Sequence, residues 1–164
     1  MSCLVKICGI NSEDAAIAAM SAGADALGYV FFPPSPRHLS LNGAATLTER
    51  VPDMKAISIS TAADIDSAAS KYDGVADFLL FDAKPPKNSN LPGGNAVSFD
   101  WTLLTGRSFT SNWMLAGGLD PDNVADAVRI SGAPWVDVSS GVEKTKGVKD
   151  ARKIADFIHA AKGY

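Results

Sequence analysis

The stretch LVKICGINSED, residues 4–14, contains a strand, a sharp turn and the start of a helix. Its apolar beginning predicts a buried strand that ends at Cys8, Gly9 permits the turn, and the polar NSED favours a helix start. Cys8 is therefore expected at the carboxyl end of a strand, where parallel α/β folds bind ligands. From this position alone, Cys8 is either a functional thiol or a small buried hydrophobic residue.

The rest of the chain repeats this alternation of strand and helix. Further strands are predicted at residues 26–32, 54–59, 76–81, 113–116 and 135–138. Helices are predicted at residues 13–22, 42–50, 62–71, 121–130 and 148–161, with one more helical turn at 101–105. Asp120 before Pro121 is expected to cap its helix. The segment 83–99, rich in Pro, Gly and Asn, is long for a loop and is interpreted as functional or mobile.

Six short apolar strands separated by helices predict an α/β fold with a parallel sheet and right-handed crossovers. Two architectures are compatible with this pattern, an open doubly wound sheet and a barrel. The turn after the first strand lacks Gly-x-Gly-x-x-Gly, the motif that most clearly indicates a dinucleotide-binding fold, so the sequence argues against such a fold.

Composition narrows the class of protein. A chain of 164 residues, 46% of them hydrophobic, is expected to form a single domain over residues 1–164. A net charge of −3 without a basic stripe argues against nucleic acid, and no apolar run predicts a membrane span or a signal peptide. A cytoplasmic protein with a small-molecule partner is expected. Cys3 and Cys8 are expected to be reduced thiols, and no zinc-type metal site is predicted.

Polar residues follow the predicted strands, where the ligand site of a parallel fold is expected. Arg37 could hold a carboxylate, although most loop arginines are simply solvated. Asp82 could act as an acid if burial raises its pKa, or could cap the next turn. The tight turns after the last two strands could bind phosphate through backbone N–H groups, or could be ordinary turns; they comprise Gly117, Gly118, Ser139, Ser140 and Gly141.

Six stretches, in this order along the chain, resemble the phosphoribosylanthranilate isomerase family of tryptophan biosynthesis. They are VKICGI, GYVFFPPSPRHLS, LLFDAKPP, LPGGNAVSFDW, MLAGGLDPDNV and VDVSSGVEKTKGVKD. The resemblance implies a barrel of the TIM type and a cofactor-independent Amadori rearrangement of N-(5′-phosphoribosyl)anthranilate to 1-(2-carboxyphenylamino)-1-deoxyribulose 5-phosphate.

The resemblance also implies roles for the residues at the strand ends. Cys8 is expected to be the general base that removes the C2′ proton, and Asp82 the acid that protonates the furanose oxygen. Arg37 is expected to hold the anthranilate carboxylate, and the two Gly- and Ser-containing turns to bind the phosphate. Lys6 is a candidate to lower the pKa of the Cys8 thiol. Cys3 is assigned to packing, and His38 and His159 are expected at the surface.

The chain is shorter than the eight-unit barrel of this family, since such barrels rarely have fewer than about 200 residues. At GAATLTERVPDMKAISIS, residues 43–60, the helix after the second strand leads directly into what resembles the family's fifth strand. The third and fourth βα units are therefore expected to be missing. About six units remain, and the sheet is expected either to stay open or to be completed by a second copy in a homodimer. A non-catalytic phosphosugar-binding or scaffold protein is the alternative function.

Overall fold

The architecture is an open, parallel α/β sheet. The computed structural model describes residues 2–47, 54–59, 65–67, 70–71, 73–74, 77–83 and 98–163. The strands of the main sheet are β1 (Leu4–Cys8), β2 (Ala26–Gly28), β3 (Met54–Ile59), β4 (Phe78–Ala83), β5 (Asn112–Leu115) and β6 (Trp135–Val138). All neighbouring strands in this sheet are parallel.

The strand order is β2–β1–β6–β5–β4–β3, which is the order of a six-membered ring opened between β2 and β3. The first strand pairs with the last, as in a barrel, with Leu4 opposite Trp135 and Ile7 opposite Val138. Among the described residues, no ladder joins β2 to β3. The sheet is therefore a barrel wall with one gap, and the gap lies where the sequence predicts that two units are missing.

The described residues include the helices α1 (Glu13–Ser21), α2 (Leu41–Leu47), α3 (Val124–Ser131) and α4 (Ala151–Lys162). The Ser12 side chain caps α1 by accepting the Ala15 N–H at 3.3 Å, and Asp150 caps α4 in the same way. The buried face of α1 carries only alanines, which lets the helix lie close to the strands. Helix α4 packs on α1, α3 and β1.

Most predicted elements are present, but several boundaries were wrong. The second strand was predicted to reach residue 32, yet it ends at Gly28 and Phe31 is exposed, because it lies at the open edge. The last helix was predicted from residue 148, but it begins at Ala151. A hairpin of β7 (Glu143–Thr145) and β8 (Val148–Lys149) precedes it and was not predicted.

Smaller differences concern helix starts. Asp120 was predicted to cap a helix that begins at residue 121, but α3 begins at Val124 and its N-cap residue is Asn123. The Asp120 carboxylate instead accepts the N–H groups of Asp122 and Asn123 at 3.0 Å, in the turn that leads into the helix. The helical turn after Asp100 is present at Trp101–Leu104. Residues 48–50, most of the predicted helix 62–71 and residues 84–97 of the long loop lie outside the described residues.

A partly exposed polar clamp at the amino-terminal side of the sheet ties the two ends of the chain together. Asp25 accepts the Val5 N–H at 2.8 Å and forms an ion pair with Lys162 at 2.8 Å. Lys162 also donates to the Gly23 carbonyl at 2.8 Å. The clamp thus joins the end of α4 to β1 and to the turn before β2, so it supports the β1–α4 packing.

Replacing Asp25 with Ala should lower the free energy of unfolding by about 1–3 kcal/mol, because the Val5 N–H and the Lys162 ammonium lose their acceptor. The control is Asp126→Ala, which removes an exposed pair with Arg129 and should change stability by less than about 0.5 kcal/mol. Urea unfolding of both variants tests this. Equal stability of the two variants would mean that the clamp contributes nothing.

Candidate active site

Cys8 ends β1 beside a buried lysine. Lys6 and Cys8 lie two residues apart on the same face of the strand, and both approach Gly28 on β2. A Cβ atom at Gly28 would lie 3.0 Å from the Cys8 Sγ and 3.1 Å from the Lys6 Nζ. A larger residue at position 28 would therefore crowd this thiol and this ammonium group and require them to shift by a few tenths of an ångström.

Asp137 on β6 completes the charge arrangement around the thiol. It lies opposite Lys6 in the sheet, and its carboxylate accepts a hydrogen bond from the Lys6 Nζ at 2.6 Å. Lys6 is only 3% exposed, and although burial opposes the ammonium form, Asp137 and Cys8 outweigh it and raise the pKa of Lys6. Lys6 is thus held as a cation.

The pKa of Cys8 is raised, not lowered. Burial is the largest cause, the Asp137 carboxylate raises it further, and the Lys6 ammonium only partly counteracts both. The expectation that Lys6 lowers the pKa of Cys8 is therefore correct for the effect of Lys6 but wrong for the net result. The physical reason is that burial of the thiol outweighs the effect of Lys6, and that Lys6 is itself paired with Asp137, whose carboxylate acts in the same direction as burial.

Asp82 lies near the end of β4, where its carboxylate touches the Gly117 turn. A Cβ at Gly117, which has a φ of +89°, would lie 2.7 Å from the Asp82 Oδ1. Burial and then the nearby Asp137 raise the pKa of Asp82 to about 6, against a weaker opposing effect of the Ala83 N–H. Asp137 therefore acts electrostatically on both Cys8 and Asp82, which lie on different strands.

The two predicted phosphate turns contact each other directly. Gly117 and Gly118 both have positive φ, and the Asn123 side chain donates to the Gly118 carbonyl at 2.9 Å. A Cβ at Gly141 would lie 1.9 Å from the Leu119 carbonyl oxygen, so the turn that contains Ser139, Ser140 and Gly141 lies against the Gly117 turn. The fold brings together the residues that the sequence placed in one anion site.

Arg37 is buried at the same edge, so it is not a solvated loop arginine. It is 5% exposed, and its Nε and Nη2 donate to the two carboxylate oxygens of Glu143 at 2.7 and 3.0 Å. Its stem crosses Gly9, where a Cβ would meet the Arg37 Cδ at 2.6 Å and the Ser139 Oγ at 3.0 Å. Arg37 thus lies between the turn after Cys8 and the turn at Ser139.

Sequence reasoning missed three charged residues: Asp137, which pairs with Lys6, and Glu143 and Lys149, which lie beside Arg37. The Lys149 Nζ donates to Glu143 at 3.1 Å and to the Ser139 carbonyl at 2.8 Å. A signal was present for Asp137, since it interrupts an apolar strand just as Lys6 does, and buried charges are normally paired. Glu143 and Lys149 carried no such signal, because the hairpin that buries them was not predicted.

The remaining candidate residues agree with the minor roles expected for them. Cys3 belongs to the hydrophobic core, and burial raises its pKa to about 11. His38 and His159 are exposed. The described residues contain no group of three or more potential metal ligands of the His, Cys, Asp and Glu type. In the same part of the chain, no helix has the length and apolarity that crossing a membrane requires.

Comparison with known proteins agrees with this geometry. A family profile described as N-(5′-phosphoribosyl)anthranilate isomerase matches residues 43–160. The N-(5′-phosphoribosyl)anthranilate isomerase of Paramagnetospirillum magneticum is 48% identical, over 97% of this chain and 97% of that protein. The crystal structure of the Thermotoga maritima phosphoribosylanthranilate isomerase superimposes with a TM-score of 0.81 at 30% identity, covering 99% and 100% of the two chains.

A second Thermotoga maritima structure, of monomers derived from the dimeric isomerase, gives a TM-score of 0.76 at 28% identity and covers 99% and 100% of the two chains. The alignment to the Paramagnetospirillum protein spans 209 positions, at least 45 more than the 164 residues of this chain can fill. The relative therefore has residues opposite gaps in this chain, as the predicted loss of two βα units requires. With near-complete coverage at 48% identity, the chain belongs to the phosphoribosylanthranilate isomerase family.

Proposed function

We propose that the chain catalyses the Amadori rearrangement of N-(5′-phosphoribosyl)anthranilate to 1-(2-carboxyphenylamino)-1-deoxyribulose 5-phosphate. The observation that carries this proposal is the 48% identity to an N-(5′-phosphoribosyl)anthranilate isomerase over nearly the whole chain. No cofactor is needed, since the reaction moves protons within one substrate. As a step of amino-acid biosynthesis, it is expected in the cytoplasm. We treat residues 1–164 as one domain.

The first step is opening of the furanose ring by Asp82. The carboxylic acid gives its proton to the ring oxygen while the C1′–O bond breaks, and the anthranilate nitrogen lone pair forms the C1′=N bond. An acid for this step must hold its proton near neutral pH, and the raised pKa of Asp82, about 6, meets that condition better than an ordinary aspartate. The contact of Asp82 with the Gly117 turn puts the acid beside the proposed phosphate site.

The second step is removal of the C2′ proton by the Cys8 thiolate. The C2′–H electrons form a C2′=C1′ double bond, the C1′=N electrons return to nitrogen, and the resulting enol tautomerises to the ketone. Because the pKa of Cys8 is raised while that of Asp82 is about 6, the form with a thiolate and a protonated Asp82 is a minor population. The Lys6 ammonium beside the thiol favours that population.

Substrate binding is proposed to involve both ends of the molecule. Arg37 would pair with the anthranilate carboxylate, and the turns at Gly117, Gly118 and Ser139–Gly141 would bind the phosphate with backbone N–H groups. Two contacts support this proposal. Arg37 and Ser139 both lie against Gly9, and the two turns contact each other. Both ends of a substrate would then be held beside Cys8, which is the last residue of β1 and directly precedes Gly9.

Complementation of a tryptophan auxotroph that lacks this isomerase tests the function, with Cys8→Ser as the matched variant. Growth is expected for the unmodified chain, and Cys8→Ser should reduce turnover at least about 10²-fold, because a hydroxyl is a much weaker base at neutral pH. Ligand binding should be retained in the serine variant. Binding of the reduced product without any turnover of the unmodified chain would instead favour a non-catalytic phosphosugar-binding protein.

The raised pKa of Asp82 has a consequence for stability that is independent of turnover. Because the folded pKa of about 6 exceeds the ordinary 3.8, the folded state binds this proton more tightly, so the free energy of unfolding falls as pH rises from about 4 to 6. The Asp82 contribution to this fall is at most about 3 kcal/mol. Asp82→Asn should lack it, so the variant gains stability relative to the unmodified chain between pH 4 and 7.

Urea unfolding from pH 4 to 7.5 measures this difference, with Asp126→Asn, an exposed carboxyl on α3, as the control. A constant difference between Asp82→Asn and the unmodified chain across that range would contradict a raised Asp82 pKa.

We also propose that two copies of the chain associate. Strands β2 and β3 are the two edges of the sheet, and parallel edges expose unpaired N–H and C=O groups. Apolar side chains beside the β2 edge are exposed, with Phe31 at 51%, Phe32 at 45% and Leu41 at 74%. A related structure comes from a dimeric isomerase. A homodimer that covers both edges accounts for these features.

Sedimentation at micromolar concentration should give about twice the 17.1 kDa chain mass. Charged substitutions in the segment that follows β2, Phe32→Lys and Leu41→Lys, should shift the chain toward monomer. Val148→Lys changes an apolar residue of the hairpin that is as exposed as Phe32, and it should not shift the chain toward monomer. A monomer at all concentrations for the unmodified chain would contradict the proposal.

A further inference from the structure

Glu143 is the centre of a buried ionic cluster that the proposed reaction does not yet use. Its carboxylate accepts four hydrogen bonds: two from Arg37, one from the Lys149 Nζ at 3.1 Å, and one from the Gly147 N–H at 3.0 Å. All three charged side chains are at most 6% exposed. Burial opposes the charge of Glu143, but Arg37, Gly147 and Lys149 together lower its pKa, so it is held as a carboxylate.

The geometry of the Arg37–Glu143 pair leaves part of the guanidinium available. A guanidinium offers five N–H donors on two usable edges, one formed by Nε with one terminal nitrogen and one formed by the two terminal nitrogens. Glu143 occupies the edge of Nε and Nη2. Among the described residues, no side chain or backbone group accepts from Nη1. The second edge can therefore take a second carboxylate in a bidentate pair.

The loop that carries Arg37 is fixed by the same hairpin. A Cβ at Gly147 would lie 2.5 Å from the Pro36 carbonyl oxygen, so the β7–β8 turn touches the backbone just before Arg37. The Asn11 side chain donates to both the Pro36 and Gly147 carbonyls, at 3.4 and 3.2 Å. The backbone before Arg37 and the far end of its side chain are thus both held by the segment around Glu143.

We propose that Glu143 is a positioning residue for the anthranilate carboxylate, which acts by holding Arg37 through one edge of its guanidinium. Lys149 and the Gly147 N–H fix Glu143 itself, so the guanidinium plane is set before the ligand arrives. Less conformational freedom of Arg37 then has to be lost on binding. This inference rests on the proposed function, because it takes the ring carboxylate as the ligand of Arg37.

The test compares two ligands that differ in one group. The first is the reaction product with its ketone reduced to an alcohol, which cannot react. The second is the same molecule built on aniline, which lacks only the ring carboxylate. Calorimetry with Glu143→Gln should give at least a ten-fold loss of affinity for the first ligand and less than a two-fold loss for the second. A merely structural role of Glu143 would weaken both ligands alike.

Further variants separate a loss of folding from a loss of ligand binding, and they test whether Glu143 acts through Arg37. Glu143→Gln leaves two buried cations without an anion, which destabilises the fold, whereas Glu143→Asp keeps the charge. Its shorter side chain cannot reach Arg37 and its own anchors together, so the same selective loss is expected. Lys144→Gln, an exposed neighbour on β7, is the control and should change neither affinity. In an Arg37→Ala background, Glu143→Asp should have no additional effect.

Each result decides a separate point. Equal weakening of both ligands, or additional weakening in the Arg37→Ala background, would overturn the role of Glu143 while leaving the proposed function intact. If the unmodified chain binds neither ligand, the proposed function fails and this inference fails with it.

Discussion

The ion pair between Lys6 and Asp137 joins the first and last strands of the sheet, which are 131 residues apart in the chain. Two nearly buried charges are tolerable only as a pair, and removal of one partner typically costs about 3–5 kcal/mol. Burial is the largest cause of the raised pKa of Cys8 and of Asp82, and the pair modifies both pKa values further. Lys6 favours the thiolate form of Cys8, while Asp137 raises the pKa of both Cys8 and Asp82. The proposed base and the proposed acid, which lie on different strands, are therefore coupled through one carboxylate.

The gap in the sheet leaves this coupling intact because of where it falls. The strands that carry the site, β1, β6, β5 and β4, are consecutive neighbours in the sheet and are held in register by their own hydrogen bonds. The gap between β2 and β3 lies on the opposite side of the ring. The gap therefore leaves the strands of the candidate site paired with one another, and its consequence is two unpaired edges.

A second buried charge cluster, Arg37 with Glu143 and Lys149, connects the loop after β2 to the hairpin before α4. Because the hairpin also touches Pro36 through Gly147, it closes over the same edge of the sheet as Cys8. The two clusters have different consequences. The Lys6 pair adjusts proton affinities inside the sheet, whereas the Glu143 cluster fixes the orientation of a side chain at its edge.

Local pattern was enough to predict the six sheet strands, the Asp120 and Trp101 turns, and the strand-end position of Cys8, because apolar runs and capping residues act over a few neighbours. The resemblance to the family led to the prediction that two βα units are missing, and it suggested roles for the candidate residues Arg37 and Asp82. The hairpin at residues 143–149, the raised pKa of Cys8 and the pairing of Arg37 with Glu143 were decided only by the tertiary structure. Each depends on burial and on charges brought from distant parts of the chain, which a one-dimensional pattern does not contain.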